Sequence, residues 1–318
     1  MTLTLNSKFW SGSSANGGQA FQGENYGYNS GDASGMQYIR RYSFTSDGNA
    51  TLVGDLTVGR SSGGGQSSSD YGYSSCGYIY MWGGTAYNIL DRFSFASGSE
   101  NASDVGDMTV YVNSTSGYSS TENGYQAGGY TKASTNINIS TIDRFSFASA
   151  SENATDIGDL LSAISGITGC SSPDHGYTMG GGNTIQRFSF AAGNQDATDV
   201  GDLTFSYLTN PAGCQTGSDG YSCGGYYYDG STTVVQSEIA KFAFASSSNA
   251  ADNGDLTVAR GWGCGTSSTE SGYVAGGYNG TTYGDVIDKF SFAAGTQNSS
   301  DVGDLVYGPW YFPMPQQF

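Results

Sequence analysis

DRFSFASGSENASDVGDM at residues 91–108 returns as DRFSFASASENATDIGDL at residues 143–160. Fourteen of the eighteen positions are identical, and the two copies lie 52 residues apart. Self-similarity at a fixed period of this length is typical of repeat architectures, in which each repeat is one unit of supersecondary structure. The two copies therefore predict a repeat protein.

Three landmarks recur in fixed order, six times each. The first is Gly-Tyr followed by small residues and often by Gly-Gly, at 27–31, 72–78, 124–130, 176–182, 220–226 and 272–278. The second is a basic residue that opens an alternating aromatic segment, at Arg41, Arg92, Arg144, Arg187, Lys241 and Lys289. The third is Gly-Asp before an apolar residue, with the aspartates Asp55, Asp107, Asp159, Asp202, Asp255 and Asp304. Six copies predict six structural units.

Successive Gly-Asp aspartates are separated by 52, 52, 43, 53 and 49 residues. The short interval has a local cause, because Gly128 precedes Arg144 by 16 residues whereas Gly180 precedes Arg187 by only 7. A length change that is confined to one connection indicates a surface loop, and constant spacing elsewhere indicates the framework.

Each repeat contains four segments with strand character. Phe93-Ser94-Phe95 alternates with period two, which places both rings on one face of a sheet. The Gly-Tyr segment, the segment before it (such as 63–71) and GDLTV at 254–258 supply three more short strands. Four short strands in about 50 residues, repeated six times, predict an all-β fold: a six-bladed β-propeller with four antiparallel strands in each blade. A β-helix would have a much shorter period, and a sandwich would not repeat so regularly.

Residues 1–306 are predicted to form this single propeller. TLTL at 2–5 and DLVYG at 304–308 both have strand character, so either terminus could complete a shared blade. Three of the five prolines fall in PWYFPMPQQF at 309–318. We therefore expect the tail, residues 307–318, to leave the sheet and to pack as a peptide.

The composition fits a turn-dense β protein and limits the partners. Gly accounts for 50 of 318 residues, roughly twice its usual share, and aromatic residues are more frequent (14%) than charged ones (12%). A net charge of −17 opposes phosphate binding, so we expect no nucleic-acid partner. No apolar run reaches the length of a membrane span, and the first residues lack the pattern of a secretory signal.

The cysteines do not have the pattern of a disulfide framework or a zinc site. Their number is odd, and none has CxxC spacing. Free thiols in a protein made in a reducing cytoplasm are the prediction. The five cysteines are Cys76, Cys170, Cys214, Cys223 and Cys264.

No catalytic residue, metal ligand or cofactor is predicted. The single histidine, His175, occupies a repeat position that holds unrelated residues elsewhere, which indicates a turn or surface position. Only Arg40 among the seven arginines lies outside the repeat pattern, which argues against a dedicated arginine cluster for an acidic sugar. Five repeats carry Asp-x-Gly-Asp, which could bind calcium or could cap turns, with Asp paired to the repeated basic residue. Two carboxylates are few for a cation that takes six to eight oxygens, so turn capping is favoured.

One face of the disc is predicted to carry the binding residues. In an antiparallel blade the connection between the second and third strands lies on the face opposite the turn between the third and fourth. These second-to-third connections vary in length and are rich in Tyr, Asn and Thr, as binding loops on a rigid scaffold are. The alternative is that their aromatic residues only pack on the disc. The predicted recognition residues are Tyr78, Trp82, Tyr130, Tyr226, Tyr227, Tyr228, Tyr278 and Tyr283.

The order of Gly-Gly, variable connection, aromatic strand, turn and Asp-Leu segment resembles the kelch repeat over almost the whole chain. Two features depart from it: the kelch tryptophan of the last strand is replaced by Gly-Asp-Leu, and the aromatic strand reads FSF. More specifically, GYVAGGY, DKFSFAAG and DVGDL within 272–305 resemble repeats of virion structural proteins of marine tailed phages, including cyanophages.

This resemblance implies a virion component in a tail, fibre or capsid-decorating role and transfers no catalytic residue. The expected function is that of a non-enzymatic structural protein, a rigid propeller for assembly and for recognition of a host-surface glycan or protein. We expect several copies per particle, contacts with other virion proteins and assembly in the host cytoplasm. The alternatives are a capsid decoration protein, a carbohydrate-active propeller enzyme and a cellular kelch-like adaptor.

Overall fold

The computed structural model describes residues 24–32, 35–79, 84–131, 137–149, 151, 153–191, 196–293, 295–296, 298–306 and 313–317. These residues form strands, turns and loops, and no helix in them is long and apolar enough to span a membrane. In chain order the strands are β1 (Tyr26–Ser30), β2 (Tyr38–Ser43), β3 (Thr51–Asp55), β4 (Gly64–Ser67), β5 (Tyr71–Ser75), β6 (Tyr78–Ile79), β7 (Thr85–Ala86), β8 (Ile89–Ser94), β9 (Ser103–Asp107), β10 (Val112–Asn113), β11 (Ser116–Ser119), β12 (Asn123–Thr131), β13 (Ile137–Ser146), β14 (Thr155–Asp159), β15 (Ile167–Ser171), β16 (His175–Gly180), β17 (Thr184–Ser189), β18 (Thr198–Asp202), β19 (Ala212–Gln215), β20 (Asp219–Cys223), β21 (Tyr226–Tyr228), β22 (Thr233–Val235), β23 (Glu238–Ala243), β24 (Ala251–Asp255), β25 (Cys264–Ser267), β26 (Ser271–Tyr278), β27 (Tyr283–Ser291), β28 (Ser300–Asp304) and β29 (Met314–Gln317).

The predicted six-bladed propeller is confirmed. From the axis outward, blades 1 to 6 have the strand orders β29-β1-β2-β3, β4-β5-β8-β9, β11-β12-β13-β14, β15-β16-β17-β18, β19-β20-β23-β24 and β25-β26-β27-β28. Neighbouring strands are antiparallel throughout, and β10 also pairs with β12 in blade 3. The inner strands of successive blades touch one another in a closed series, with β29 between β25 and β4.

The expectation that the C-terminal tail leaves the sheet is wrong for the residues that the structure describes. Met314–Gln317 pair antiparallel with Tyr26–Ser30 and form the inner strand of blade 1. Proline is tolerated there because the inner strand is a sheet edge, where an N–H that points away from the ladder is not needed. The C-terminal strand therefore closes the propeller, and the segment 2–5 lies outside the described residues.

The outer strand is also displaced from the predicted position. In blade 5 it is Ala251–Asp255, so only the Gly-Asp of GDLTV belongs to it. Leu256 is buried and begins a crossover, the name used below for the connection from the outer strand of one blade to the inner strand of the next. Alternation alone could not place this boundary, because the apolar residues of the crossover are buried between blades.

The hydrophobic core is divided among the six joints between blades. The tyrosine of Gly-Tyr in one blade packs against both aromatic rings of the third strand in the next, as the paired rings predict. Tyr73 of blade 2, for example, lies 5.3 Å from Phe145 and 4.9 Å from Phe147 of blade 3, measured between ring centroids. The equivalent tyrosines are Tyr28, Tyr125, Tyr177, Tyr221 and Tyr273, all buried. Stacked and tilted pairs of this kind stabilise a core beyond the area that they bury.

The glycine of Gly-Tyr makes room for one of these rings. Gly124 is the cross-strand partner of Phe145, and a Cβ atom on Gly124 would lie 2.2 Å from Phe145 Cζ. Every blade repeats this pair: Gly27 with Tyr42, Gly72 with Phe93, Gly176 with Phe188, Gly220 with Phe242 and Gly272 with Phe290. The ring covers the glycine within its own sheet and also contacts the tyrosine of the preceding blade, as Phe145 contacts Tyr73.

Glycines also close the centre of the disc. At the middle of the inner strands the backbones approach so closely that a Cβ atom on Gly117 would lie 2.3 Å from the Gly65 carbonyl oxygen, and one on Gly265 would lie 2.1 Å from that of Gly213. Two residues further along each strand, a backbone N–H donates to a side-chain oxygen of the next blade: Ser67 to Ser119, Ser119 to Ser171, Ser171 to Gln215 and Gln215 to Ser267. The inner strands are thus joined directly to one another.

The repeated turns join the blades at the rim. The N–H of Asp55 donates to Asn101 Oδ1 of the next blade, and the N–H of Ala102 donates back to the Asp55 carbonyl. All six joints have this reciprocal pair, with Asp196 replacing asparagine in one of them. The first aspartate of Asp-x-Gly-Asp accepts the N–H of the glycine two residues later, as Asp104 does from Gly106. The motif therefore lies within the outer strand, where this bond caps a β-bulge rather than a turn.

Candidate binding face

The two faces of the disc differ as predicted. The variable face carries the second-to-third connections and the crossovers, and the opposite face carries the regular turns. The structure corrects one detail: the long second-to-third connections are not irregular loops but β-hairpins, formed by β6 and β7, by the extended β12 and β13, by β21 and β22, and by β26 and β27. In blade 4, β16 ends at Gly180 and β17 begins at Thr184, so the nine-residue shortening removes this hairpin.

The tyrosine that follows Gly-Gly, or Cys-Gly in blade 2, begins each hairpin and is tied to the crossover beside it. Tyr78, Tyr226 and Tyr278 form backbone bridges to Ser61, Thr209 and Gly261, respectively. These tyrosines and Tyr130 are half-buried, whereas Tyr228 and Tyr283 are exposed. Trp82 lies outside the described residues.

The predicted recognition residues fall into two groups that share Tyr226, and Tyr78 and Tyr130 belong to neither. Tyr226, Tyr278 and Tyr283 belong to a row of rings that spans blades 5 and 6, with centroid distances of 5.1 Å from Tyr226 to Trp262, 5.4 Å from Trp262 to Tyr278 and 4.8 Å from Tyr278 to Tyr283. Trp262 was not among the predicted residues, because it lies in a crossover. Tyr78 and Tyr130 belong to blades 2 and 3 and are not part of this row.

A second group lines a groove at the base of the blade 5 hairpin. Tyr227 stacks on Phe205 of the preceding crossover, with centroids 5.3 Å apart and ring planes at 16°. Tyr228 and Tyr207 are 60% and 73% exposed, the latter the highest value among the large hydrophobic side chains of the described residues. The groove has a volume of about 780 Å³ and is also lined by Thr204, Ser206, Thr209, Tyr226, Asp229, Gly230 and Thr233.

The centre of the disc offers much less space. Two axial cavities of about 70 and 50 Å³ lie on either side of the glycine ring. Small-molecule sites usually enclose several hundred Å³. The cavity on the variable face is lined by glycine, serine, threonine and proline with Ile167, Asn210, Trp262 and Cys264, so its described lining carries no charged side chain.

The buried charges hold crossovers in the joints. Asp91 accepts hydrogen bonds from the Thr57 N–H (3.0 Å) and hydroxyl (2.6 Å), and it pairs with Arg60 at 2.8 Å. Arg60 also donates to the carbonyl of Ser74 in β5 and to that of Cys76 just after β5. All three nitrogen atoms of its guanidinium group are therefore hydrogen-bonded in the joint. Arg260 and Asp288 repeat this pair at 3.0 Å.

Four of the six joints lack this pair, and two of these four still bury a charged side chain at the same position of the third strand. Asp143 accepts the same two bonds from Thr109, but Val112 stands where the arginine would be. Burial raises the pKa of the Asp143 carboxyl, and the Thr109 hydrogen bonds oppose the shift only in part. In the joint of blades 6 and 1, the third-strand position that holds Asp91 in blade 2 holds Arg40 instead. Arg40 pairs with Asp32 at 3.1 Å and donates to the Val306 carbonyl. The one arginine outside the sequence pattern therefore closes the ring.

The repeated basic residues of the third strand have surface roles. Arg41 and Arg92 lie over the rings of Tyr26 and Tyr71, whereas Lys241 pairs with Asp219 and Lys289 with Asp47. The lysine ion pairs thus use aspartates other than those of Asp-x-Gly-Asp. His175 is half-buried at the start of β16, the second strand of blade 4, where burial and the nearby Arg187 lower its pKa.

The thiols are free, as predicted, and all five are buried. Burial raises the pKa values of Cys76 and Cys264 to about 12, so neither forms a thiolate near neutral pH. Within the described ranges no three His, Cys, Asp or Glu side chains are grouped so that they could hold a metal ion.

Comparisons with known proteins identify the fold only. No protein-family model matches the sequence, and no curated protein matches it. A solved structure titled "Structure of YjhT" is similar, with a TM-score of 0.68 and 10% sequence identity over 89% of this chain and 98% of that chain. The chain has the architecture of a six-bladed propeller. At this identity the likeness carries no activity from one protein to the other.

Proposed function

We propose that this chain is a non-enzymatic structural protein of a tailed-phage virion, associated with the tail or fibre, whose variable face binds a host-surface glycan or protein. The observation that carries the recognition role is the distribution of side chains in the described residues. Exposed and half-buried aromatic rings collect on the variable face, in the groove and in the row of rings. Binding surfaces are enriched in tyrosine because it provides broad contact at low cost in conformational entropy.

The contacts between blades support the proposal that the propeller is a rigid scaffold. Aromatic packing, buried ion pairs, the inner-strand hydrogen bonds and the rim turns all connect one blade to the next. A binding face on such a scaffold keeps its residues in fixed positions, which lowers the entropy cost of binding.

The centre of the disc supports a role without catalysis. Catalysis needs titratable or nucleophilic groups that can reach a bound substrate. The axial cavities are small, the arginines Arg40, Arg60 and Arg260 are used in joints, and the shifted thiols are buried and protonated. The described side chains of the axial cavities therefore offer no constellation for hydrolysis or oxidation of a sugar.

The resemblance of the 272–305 segment to virion repeats supports the proposal that the chain is a virion component. In this proposal the protein is assembled in the host cytoplasm, is present in several copies per particle and contacts other virion proteins. A capsid decoration protein is the second candidate, because the closely joined disc would suit that role equally well.

Detection of the chain in purified phage particles tests this proposal. We expect mass spectrometry of infectious particles to find the chain in more than one copy, and electron microscopy with a specific antibody to label the tail. Label on the capsid instead would favour the decoration role. Absence of the chain from infectious particles would contradict the virion proposal, and turnover of any sugar would contradict the non-enzymatic one.

A further inference from the structure

We propose that the groove between the crossover Thr204–Thr209 and the blade 5 hairpin binds a neutral saccharide, with a pyranose ring against Tyr207 and Tyr228. This inference rests on the proposed recognition role and assigns it a site and a ligand class. The groove is defined by Phe205, Tyr207, Tyr227 and Tyr228 together with the polar residues that line it.

Two local departures from the repeat produce the groove. Gly182 of blade 4 bridges to Leu208 on one side of the crossover, and Tyr226 of blade 5 bridges to Thr209 on the other. Blade 5 has a hairpin at its side of the crossover, but blade 4 lacks one. The crossover is therefore flanked by a hairpin on one side only, and the groove is open on the other.

The crossover itself is one residue longer here than in the other described joints. Asn210, in the left-handed conformation, lies eight residues after Asp202. The equivalent left-handed residues Ser62, Ser114, Gly166 and Trp262 each lie seven residues after their Gly-Asp aspartate. The longer segment contains Tyr207, the most exposed ring of the face. The shortened connection of blade 4 and the lengthened crossover after it therefore lie next to each other in the disc.

The rings of the groove suit the apolar face of a sugar. The C–H groups on one face of a pyranose can lie flat on an aromatic ring, while the hydroxyls at its edge need hydrogen-bond partners. Phe205 and Tyr227 stack on each other, which holds Tyr227 in place beside Tyr228. Ser206 and Thr233 contribute hydroxyls, and backbone bridges fix the crossover and the hairpin that carry them.

The charges of the groove favour a neutral ligand. Asp229 is the only lining residue that is charged at neutral pH, and no lysine, arginine or histidine lines the groove. Asp229 Oδ1 accepts the N–H groups of Ser231 and Thr232, so this carboxylate caps the hairpin turn. A sugar acid or an acidic peptide would meet this charge and the overall charge of −17 without a cation to pair with.

Saccharide binding by the purified full chain tests the proposal. The probes are methyl glycosides of glucose, galactose and mannose and a glycan array that includes sialylated and sulfated members. We expect saturation-transfer NMR to show contact of the C–H face of at least one neutral sugar. Tyr207→Ala and Tyr228→Ala should weaken binding at least about tenfold, which corresponds to about 1.4 kcal/mol, whereas Tyr207→Phe should retain it.

Tyr111→Ala is the matched control, because Tyr111 is an exposed tyrosine of another crossover and does not line the groove. Binding that is lost in Tyr283→Ala but kept in Tyr207→Ala and Tyr228→Ala would overturn the assignment of the site to the groove. Binding of acidic sugars alone, or of no array member, would overturn the ligand class. These outcomes are independent of particle composition: a chain that is found in virions but binds no neutral sugar refutes only this inference, and a chain that is absent from virions refutes only the virion setting.

Discussion

Asp91, Asp143 and Asp288 occupy the same position of the third strand and are all buried, yet only two of them have an arginine opposite. All three accept the N–H and hydroxyl of a crossover threonine, so hydrogen bonding is the same. The three joints differ in whether an arginine balances the negative charge of the aspartate. A buried ion pair adds little net stability, but a buried carboxylate without its partner costs several kcal/mol. The three joints therefore provide an internal comparison of one buried carboxylate with and without its cation.

We expect Asp143 to make stability fall as pH rises. Its pKa in the folded state lies above the value of about 3.9 for an unfolded chain. The stabilisation from protonation is therefore complete below about pH 4 and is lost as pH rises through the folded-state pKa, by at most about 1.4 kcal/mol per unit. Asp143→Asn should remove this component, so the difference in unfolding free energy between variant and wild type should change in favour of the variant from pH 4 to pH 7.

Urea unfolding at several pH values measures this difference. Asn can still accept one hydrogen bond from Thr109, as the Gln186 amide oxygen accepts the Leu161 N–H in blade 4. A difference that does not vary between pH 4 and pH 7 would show that Asp143 titrates normally.

Arg60→Val should destabilise the protein strongly, because it gives the first joint the composition of the Val112 joint while Asp91 remains buried. Removal of one partner of a buried pair costs about 3–5 kcal/mol, and chemical denaturation would measure it. Arg92→Val is the control, since Arg92 lies over Tyr71 at the surface and its loss should cost less than about 1 kcal/mol. Equal effects of the two variants would contradict the role assigned to Arg60.

At the scale of the strand, the paired second and third strands of a blade act as one element. The glycine of Gly-Tyr leaves space within the sheet, the ring of the third strand fills it, and the tyrosine projects to the ring pair of the next blade. The same pairing also explains why Gly-Tyr and the aromatic segment recur together. Each is incomplete without the other, because the ring would otherwise meet a Cβ atom and the glycine would leave the strand weakly packed.

Gly124→Ala should cost about 1–3 kcal/mol, since the added methyl group would displace Phe145 from a packed joint. Thermal or urea unfolding measures the loss. Gly98→Ala is the matched control, because Gly98 is exposed in a turn and its Cβ would meet nothing within 4 Å. A loss below about 0.5 kcal/mol at Gly124, similar to that expected at Gly98, would mean that the ring can move aside freely.

At the scale of the whole molecule, closure depends on a short C-terminal strand. Met314 is fully buried in the joint of blades 1 and 2. Gln316 donates to Ser30 and Ser74 side chains and to the Tyr73 carbonyl, so it connects both blades. This strand joins the end of the chain to blade 1 and pairs with the inner edge of β1.

Removal of residues 313–318 should open the ring. We expect a lower Tm and loss of a single cooperative transition, because blade 1 would lose its inner strand and two joints would lose contacts. A synthetic peptide PMPQQF, added in trans, should restore the Tm as it fills the vacated edge, whereas a peptide with Met314 replaced by Asp should not. A truncated chain that unfolds like the full chain would show that closure does not need this strand.

The sequence by itself determined the number of blades, the aromatic packing between them, the free thiols and the face with variable connections. The thiol prediction follows from the odd number and the spacing of the cysteines. The other features follow from the repeat, because six copies of one local pattern report the same contact. The tertiary structure alone decided the closing strand, the partners of Arg40, Arg60 and Arg260 and the groove at Tyr207. Each of these depends on residues from different repeats that meet across a joint, and at the closing strand and the groove the chain departs from its own pattern. Periodicity carries no information about contacts that occur only once.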